Sequence, residues 1–371
     1  VLMKIERIKV WDHPAHFKRG CYSNARLTKT TTRSRVLEIS ATGDWMGFGE
    51  VVFPFASSSK VQQKIIEDEE NYLRRLVGRN VDCLMSTAEG FRARESGWAS
   101  VAFALETAWY DLLSKDKDVA LGTLLNGCPD SSVVHYASLS VSSSEELLSR
   151  LKREAVRTKI IQLKLTNRSP NDDKAWICQI LDHQPQIDVL LADANGKWSV
   201  TQACEVISTF NDPRIIWEEP CASYLENVKV ERITGRRVMA DQCVGDIQMA
   251  KQAVTEGAVS AITVKPVYLG GLSTARDLLD RCTEEGMRVR IDGPWCGDIG
   301  AAAVLHLAAG VEPELLIASC DLREPLDYRV KLNGVVELPN GQIAPPKGAG
   351  LGLKNESLEK ILGLPEATYS I

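Results

Sequence analysis

Three successive apolar runs end in a carboxylate and a fourth ends in a lysine: Val-Leu-Leu-Ala-Asp193, Ile-Ile-Trp-Glu218, Arg-Val-Met-Ala-Asp241 and Ala-Ile-Thr-Val-Lys265. The separations are 25, 23 and 24 residues. Each interval suits one strand, one helix and two turns, which puts every charge at the carboxyl end of a successive parallel strand. In a closed barrel of such units the strand ends converge on one face, where distant side chains share a site. Three carboxylates gathered there repel one another unless a cation joins them. Because all the donors are hard oxygens, the spacing points to Mg2+ rather than zinc.

An Asp at a strand end often does no more than cap the next helix. The recurrence argues otherwise, since Glu and Lys are poor caps and two of the four residues are of those types.

The elements that must hold these residues follow from periodicity. Residues 3 to 11, 26 to 40 and 45 to 53 read as strands, with turns at Gly20 and Thr42-Gly43, and imply an antiparallel sheet. Lys60 to Val77 and Ser100 to Leu113 carry helical spacing, giving an α+β cap. From Val133 the pattern alternates strand and helix. The strands read at 134 to 141, 159 to 165, 188 to 193, 214 to 218, 237 to 241, 260 to 265, 287 to 292 and 314 to 319. The fold class expected is therefore α/β: a modified TIM barrel, (β/α)7β, over residues 129 to 321, with an α+β capping domain at 1 to 128 and a Pro- and Gly-rich segment, 322 to 371, returning to the cap.

Composition narrows the partners. With 371 residues and 44% hydrophobic content the chain can bury a large core. A net charge of -5 and no arginine-aromatic stripe argue against nucleic acid. The longest small-apolar stretch, Ala301 to Val311, is interrupted by His306 and is too short for a bilayer. The first residues lack an apolar core of signal-peptide length, so a cytoplasmic protein without a membrane partner is expected. The ten cysteines include no Cys-x-x-Cys pair, against a zinc site or disulfide scaffold. Cys221, Cys243, Cys296 and Cys320 fall near the strand ends, where a nucleophile would sit, but no histidine is near them in sequence.

Taken together these segments resemble the enolase superfamily, muconate-lactonizing subgroup, over nearly the whole chain. Gly47-Phe48-Gly49-Glu50, the helix Ala-Leu-Glu-Thr-Ala-Trp-Tyr-Asp-Leu-Leu and Leu124-Leu125-Asn126-Gly127 are similar to its cap signatures. Asp193-Ala-Asn195, Glu218-Glu-Pro220 and Asp241-Gln242 are similar to its metal-binding strands. The resemblance implies that Asp193, Glu218 and Asp241 bind Mg2+ and that Lys164 and Lys265 are catalytic, facing each other across the substrate. One departure is Gln162-Leu163-Lys164, where the family usually carries Lys-x-Lys. Without that charge Lys164 is expected to be a weaker base than Lys265, or to act as an acid or a positioning cation.

The chemistry implied is abstraction of a proton α to a carboxylate, which a Lewis acid on the carboxylate oxygens makes feasible. A lysine base must be neutral for this, and a nearby cation lowers its pKa in that direction. Asp292-Gly-Pro-Trp295-Cys-Gly297-Asp298-Ile299 is similar to the seventh-strand segment of the cis-3-hydroxyproline dehydratase branch. Asp298 and Asp321 are then candidates to meet a substrate ammonium, although Asp298 equally suits a helix cap and Arg323 suits a partner for Asp321. Asn195, Trp295 and Tyr22 are further candidates for substrate contact, with Lys18 and Phe55 in the segments, 16 to 24 and 53 to 59, that the resemblance places over the site. The expected reaction is dehydration, with possible 2-epimerization, of a 3-hydroxyproline-like cyclic amino acid. An amino acid or dipeptide racemase or epimerase is the alternative, then a sugar-acid dehydratase, and in a different class a non-catalytic binding protein on the same fold. A homo-oligomer is expected.

Overall fold

In the computed structural model the described residues are 3–371 except 25–26, 54–57, 95–96, 127–130, 166–168, 328–331 and 355. The cap's first strand, Ile5–Phe17, pairs antiparallel with Thr31–Ala41, which pairs with Trp45–Val52. Helices Ser59–Leu76, Cys83–Arg92 and Trp98–Asp116 cover this sheet. Contact with the third helix is close because Gly47 and Gly49 have no side chains. A Cβ on Gly49 would lie 2.3 Å from the Ala104 carbonyl oxygen, and one on Gly47 would lie 2.6 Å from Leu112 Cγ. The end of the chain returns to the same sheet, with Ala367–Ser370 and Leu326–Asp327 both pairing to the first strand.

Eight parallel strands form the barrel: Tyr136–Leu139, Ile160–Lys164, Val189–Asp193, Ile215–Glu218, Val238–Ala240, Ala261–Val264, Arg288–Ile291 and Leu316–Ala318. Their apolar runs are nearly continuous because the core and the outer helices bury both faces. The ring closes where the Tyr136 N–H donates to the Ser319 carbonyl and the Ser319 N–H to that of Val134, each at 3.0 Å. Local sequence sets the outer helices. Ser143, Ser169, Ser199 and Ser223 cap the helices after the first four strands, accepting otherwise unpaired N–H groups. Gly235, Gly257 and Gly286 end three helices in the left-handed region.

Cap and barrel are joined by buried charge. The Glu50 carboxylate accepts from the N–H groups of Gly297 and Gly300, at 2.8 and 3.0 Å, at the start of the last barrel helix, Asp298–Ala308. Asp111 accepts from the Phe48 N–H, the Leu351 N–H and Lys115. The cap motifs therefore fix the cap's position over the strand ends.

Candidate active site

The barrel's register builds the site. Lys164, Asp193 and Glu218 are Cα partners across strands two, three and four, so their side chains share one inward face. Asp241 and Lys265 follow the fifth and sixth strands directly. All three carboxylates are fully or almost fully buried, as is Lys164.

Each carboxylate has a cationic partner. Lys164 Nζ donates to Asp193 Oδ2 at 2.5 Å, and Lys265 Nζ lies 2.5 Å from Asp241 Oδ1. The Asn195 amide and backbone N–H also donate to Asp193, at 3.0 and 2.8 Å. Arg290 grips Glu218 with both terminal nitrogens, at 2.6 and 2.5 Å. Gln162 donates to the same carboxylate at 2.7 Å and is itself oriented by the Ser138 hydroxyl. Glu219, backbone φ 42°, accepts from the N–H groups of Asp241 and Cys243 at 2.6 and 2.7 Å. Positive φ is uncommon for a non-glycine residue, and it is the Glu219 carboxylate, through these two bonds, that holds the backbone of Asp241.

These contacts set the charges. Burial and the neighbouring Glu218 raise Asp193 to about 7, against the pull of Lys164. Burial also pushes Glu218 up, but Arg290 and Lys164 more than offset it and hold its carboxyl below the usual value. Glu219 rises to about 8 through burial and the charge of Asp241. Burial alone would lower both lysines, yet Asp193 keeps Lys164, and Asp241 keeps Lys265, above the ordinary lysine value. With each ammonium touching a carboxylate, both lysines stay charged in this arrangement; the expectation of a neutral lysine concerns the site with a divalent cation drawing on those carboxylates.

The donor set suits a hard divalent cation in kind, being all oxygen, buried and mutually repelling. Among the described residues, however, no three Asp, Glu, His or Cys side chains converge into a ligand cluster. The ammonium and guanidinium groups stand at the carboxylates instead.

A cavity of about 290 Å3 opens above, lined by Tyr22, Gln162, Lys164, Asn195, Asp241, Lys265, Asp292 and Trp295 among others. Tyr22 and Trp295 meet edge to face, with centroids 5.8 Å apart, and form one wall. Beyond that wall lies a larger cavity of about 800 Å3, bordered by Lys18, Asp298 and Asp321 but by none of the three carboxylates or two lysines. The smaller cavity is where the chemistry can occur.

Several expectations are corrected. Asp298 does not offer its charge to a ligand: it accepts from the Gly334 N–H at 3.1 Å, from the Leu332 N–H and from Arg323. It is the first helical residue rather than a cap, with Gly297 at the cap position and no side-chain bond there. Asp321 is neutralised by Arg323, whose Nε and Nη2 donate at 2.9 Å. Lys18 donates to the Glu324 carbonyl at 2.7 Å, away from the lysines. Burial raises the thiols of Cys221, Cys243, Cys296 and Cys320, which disfavours the thiolate a nucleophile needs. Phe55 and the 128/129 boundary lie outside the described residues.

Arg290 and Asp292 escaped the sequence reading. Their signal was parity: on a strand, residues two apart share a face, so Arg290 points inward with Asp292 at the strand end.

The chain is 26% identical over 374 residues to the cis-3-hydroxy-L-proline dehydratase of Roseibium aggregatum, with 99% of this chain aligned to 100% of that protein. Its fold is similar to that of an enolase-superfamily member from Roseovarius nubinhibens, with a TM-score of 0.86 and 23% identity over 100% of both chains. It is also similar to the dipeptide epimerase of Enterococcus faecalis complexed with Mg and the dipeptide L-Leu-L-Tyr, with a TM-score of 0.84 and 21% identity, over 94% of this chain and 99% of that one. Residues 145–357, more than half of the chain, match the family described as Enolase C-terminal domain-like, and the chain belongs to the enolase superfamily.

Proposed function

We propose that the protein removes the proton α to the carboxylate of a small cyclic amino acid of the 3-hydroxyproline type and eliminates its hydroxyl group. The observation that carries this reading is the pair of lysines at the ends of strands two and six, Lys164 buried and Lys265 partly so, nearly diametrical in the barrel and facing one cavity of about 290 Å3. That volume is at the low end for ligand cavities and suits a single cyclic amino acid better than a dipeptide. The relation to the hydroxyproline dehydratase supports the same substrate class.

Asp193, Glu218 and Asp241 form the anionic wall where a divalent cation would be held, and that cation would supply Lewis-acid stabilisation of the developing negative charge. The protein's own groups do the rest. With a cation held by these carboxylates, Lys164 and Lys265 would lose the partners that keep them charged, and one of them would be free to act as a base. Lys265 Nζ takes the α-proton from one face, and Lys164 Nζ, the more buried, returns a proton to the departing hydroxyl or to the opposite face of the α-carbon. Asp292 lines the cavity and, although it also accepts from Arg290 Nη2 at 3.3 Å, it is the carboxylate to which we assign the substrate's ammonium, the role first expected of Asp298 and Asp321. Tyr22 and Trp295 close the side toward the larger cavity and exclude water.

The reading is tested by a panel of 3- and 4-hydroxyprolines, proline betaines, dipeptides and aldonic acids assayed with Mg2+. Turnover is expected for a 3-hydroxyproline with release of water. Preferential turnover of aldonic acids would overturn both the amine requirement and the substrate class.

A further inference from the structure

Two helices of the cap, Ser59–Leu76 and Cys83–Arg92, flank a groove of about 510 Å3 that shares no lining residue with the cavities of the barrel. Tyr72 and Arg75 line it from the first helix, Arg79 from the turn that follows, and Gly90, Phe91 and Arg94 from the second helix and its end. Other arginines of these helices are paired: Arg74 lies 2.7 Å from Glu70 and Arg92 2.6 Å from Glu106. Among the described residues no carboxylate stands within ion-pair distance of Arg75, Arg79 or Arg94. Asp68 is the one carboxylate among the described residues that line the groove, so three like charges meet there uncompensated in a chain of net charge -5. Arg94 is held in place, its guanidinium carbon 4.8 Å from the centroid of the Phe91 ring and 4.9 Å from that of Trp98. A guanidinium lying over ring faces keeps its N–H groups for an acceptor in its own plane.

A basic residue near the carboxyl end of a helix complements the helix dipole, which accounts for the sign of charge at Arg75 and Arg94 but not for the open space between the helices. Gly90 lies inside the second helix without a positive φ, and a Cβ there would meet no atom within 4 Å. Neither backbone conformation nor packing therefore calls for glycine, although glycine weakens a helix relative to alanine or leucine. What its missing side chain does is keep the groove open. We propose that this groove binds a phosphorylated small molecule, its oxyanion held by Arg75, Arg79 and Arg94 and its organic body lying against Tyr72 and Phe91. Forked guanidinium donors match a phosphate group in geometry and charge, and the volume falls within the range of small-molecule sites.

The test is isothermal titration calorimetry on the full chain without added Mg2+, with inorganic phosphate as the bare anion and AMP as a phosphate monoester carrying an organic body. AMP should bind with a Kd below about 1 mM, phosphate more weakly, and both less well as salt is added. Arg75→Gln and Arg94→Gln should each weaken AMP binding about ten-fold. Gly90→Leu should abolish it while the melting temperature stays at or above that of wild type, because leucine is the better helix former. No AMP binding by the wild-type protein would overturn the proposal, as would wild-type affinity in both arginine variants, which would place the ligand elsewhere on the molecule. AMP bound no more tightly than phosphate would overturn the assignment of Tyr72 and Phe91 to an organic body.

Discussion

Lys164 Nζ stands 2.5 Å from Asp193 Oδ2, and the two residues are register partners on neighbouring barrel strands. Lys265 Nζ likewise lies 2.5 Å from Asp241 Oδ1, the two residues following neighbouring strands without being register partners. Such paired placement predicts separable roles. Lys265→Ala should lose exchange of the α-proton on one enantiomer by about 10^2- to 10^4-fold, the range of general-base catalysis, and Lys164→Ala should lose it on the other. Exchange into D2O followed for each enantiomer reads this out. A Lys265→Ala variant that still exchanged both would contradict the two-sided arrangement.

Asp292 and Asp298 should respond differently to the same neutralisation. Asp292 faces the cavity, so Asp292→Asn is expected to raise KM for an amino-acid substrate about ten-fold or more. Asp298 is a buried acceptor for two backbone N–H groups and Arg323, so Asp298→Asn should leave KM nearly unchanged and cost about 1–3 kcal/mol in denaturant unfolding. The reverse pattern would return Asp298 to the substrate.

Cap docking rests on Glu50 and the glycines beside it. Gly49→Ala forces a Cβ against the Ala104 carbonyl and should destabilise by about 1–3 kcal/mol. Glu50→Ala leaves the N–H groups of Gly297 and Gly300 without their acceptor and should cost a similar amount. Guanidinium unfolding measures both. Wild-type midpoints would show that the cap is held by other contacts.

His306, buried in the last barrel helix, is pushed down to about 4 by burial, against the Leu351 carbonyl. An unfolded histidine titrates near 6.5. As the pH falls through about 6.5 the unfolded chain therefore takes up the proton first, and the folded protein follows only near pH 4. Stability should fall across that window and level off below it, by about 3 kcal/mol for this residue. Comparing wild type with His306→Asn between pH 7 and 4.5 isolates the contribution, and parallel losses in the two proteins would contradict it.

Much of this was legible in the sequence because parallel strands are short, apolar and regularly spaced. Each barrel strand observed falls within the range expected for it, trimmed by a residue or two at the ends, as with 188 to 193 against Val189–Asp193. The inward side of the seventh strand was harder. Arg288, Arg290 and Asp292 look like a solvated polar face, and only closure of the barrel shows that Arg290 points at Glu218. Asp298 misled for a related reason: its acceptors' partners, Leu332 and Gly334, lie more than thirty positions away, beyond any local pattern. Glu219 was hidden beside Glu218, since nothing in Glu-Glu-Pro shows that the second carboxylate turns back to hold Asp241.

The central claim is that the cavity between Lys164 and Lys265 is a site of proton abstraction next to a carboxylate. The most direct measurement is the α-proton signal of a 3-hydroxyproline in D2O, followed by 1H NMR with the protein in the presence and absence of Mg2+. Loss of that signal only when protein and Mg2+ are both present is the predicted result. An unchanged signal for the 3-hydroxyprolines and for every amino acid and dipeptide of the panel, at saturating Mg2+, would contradict it.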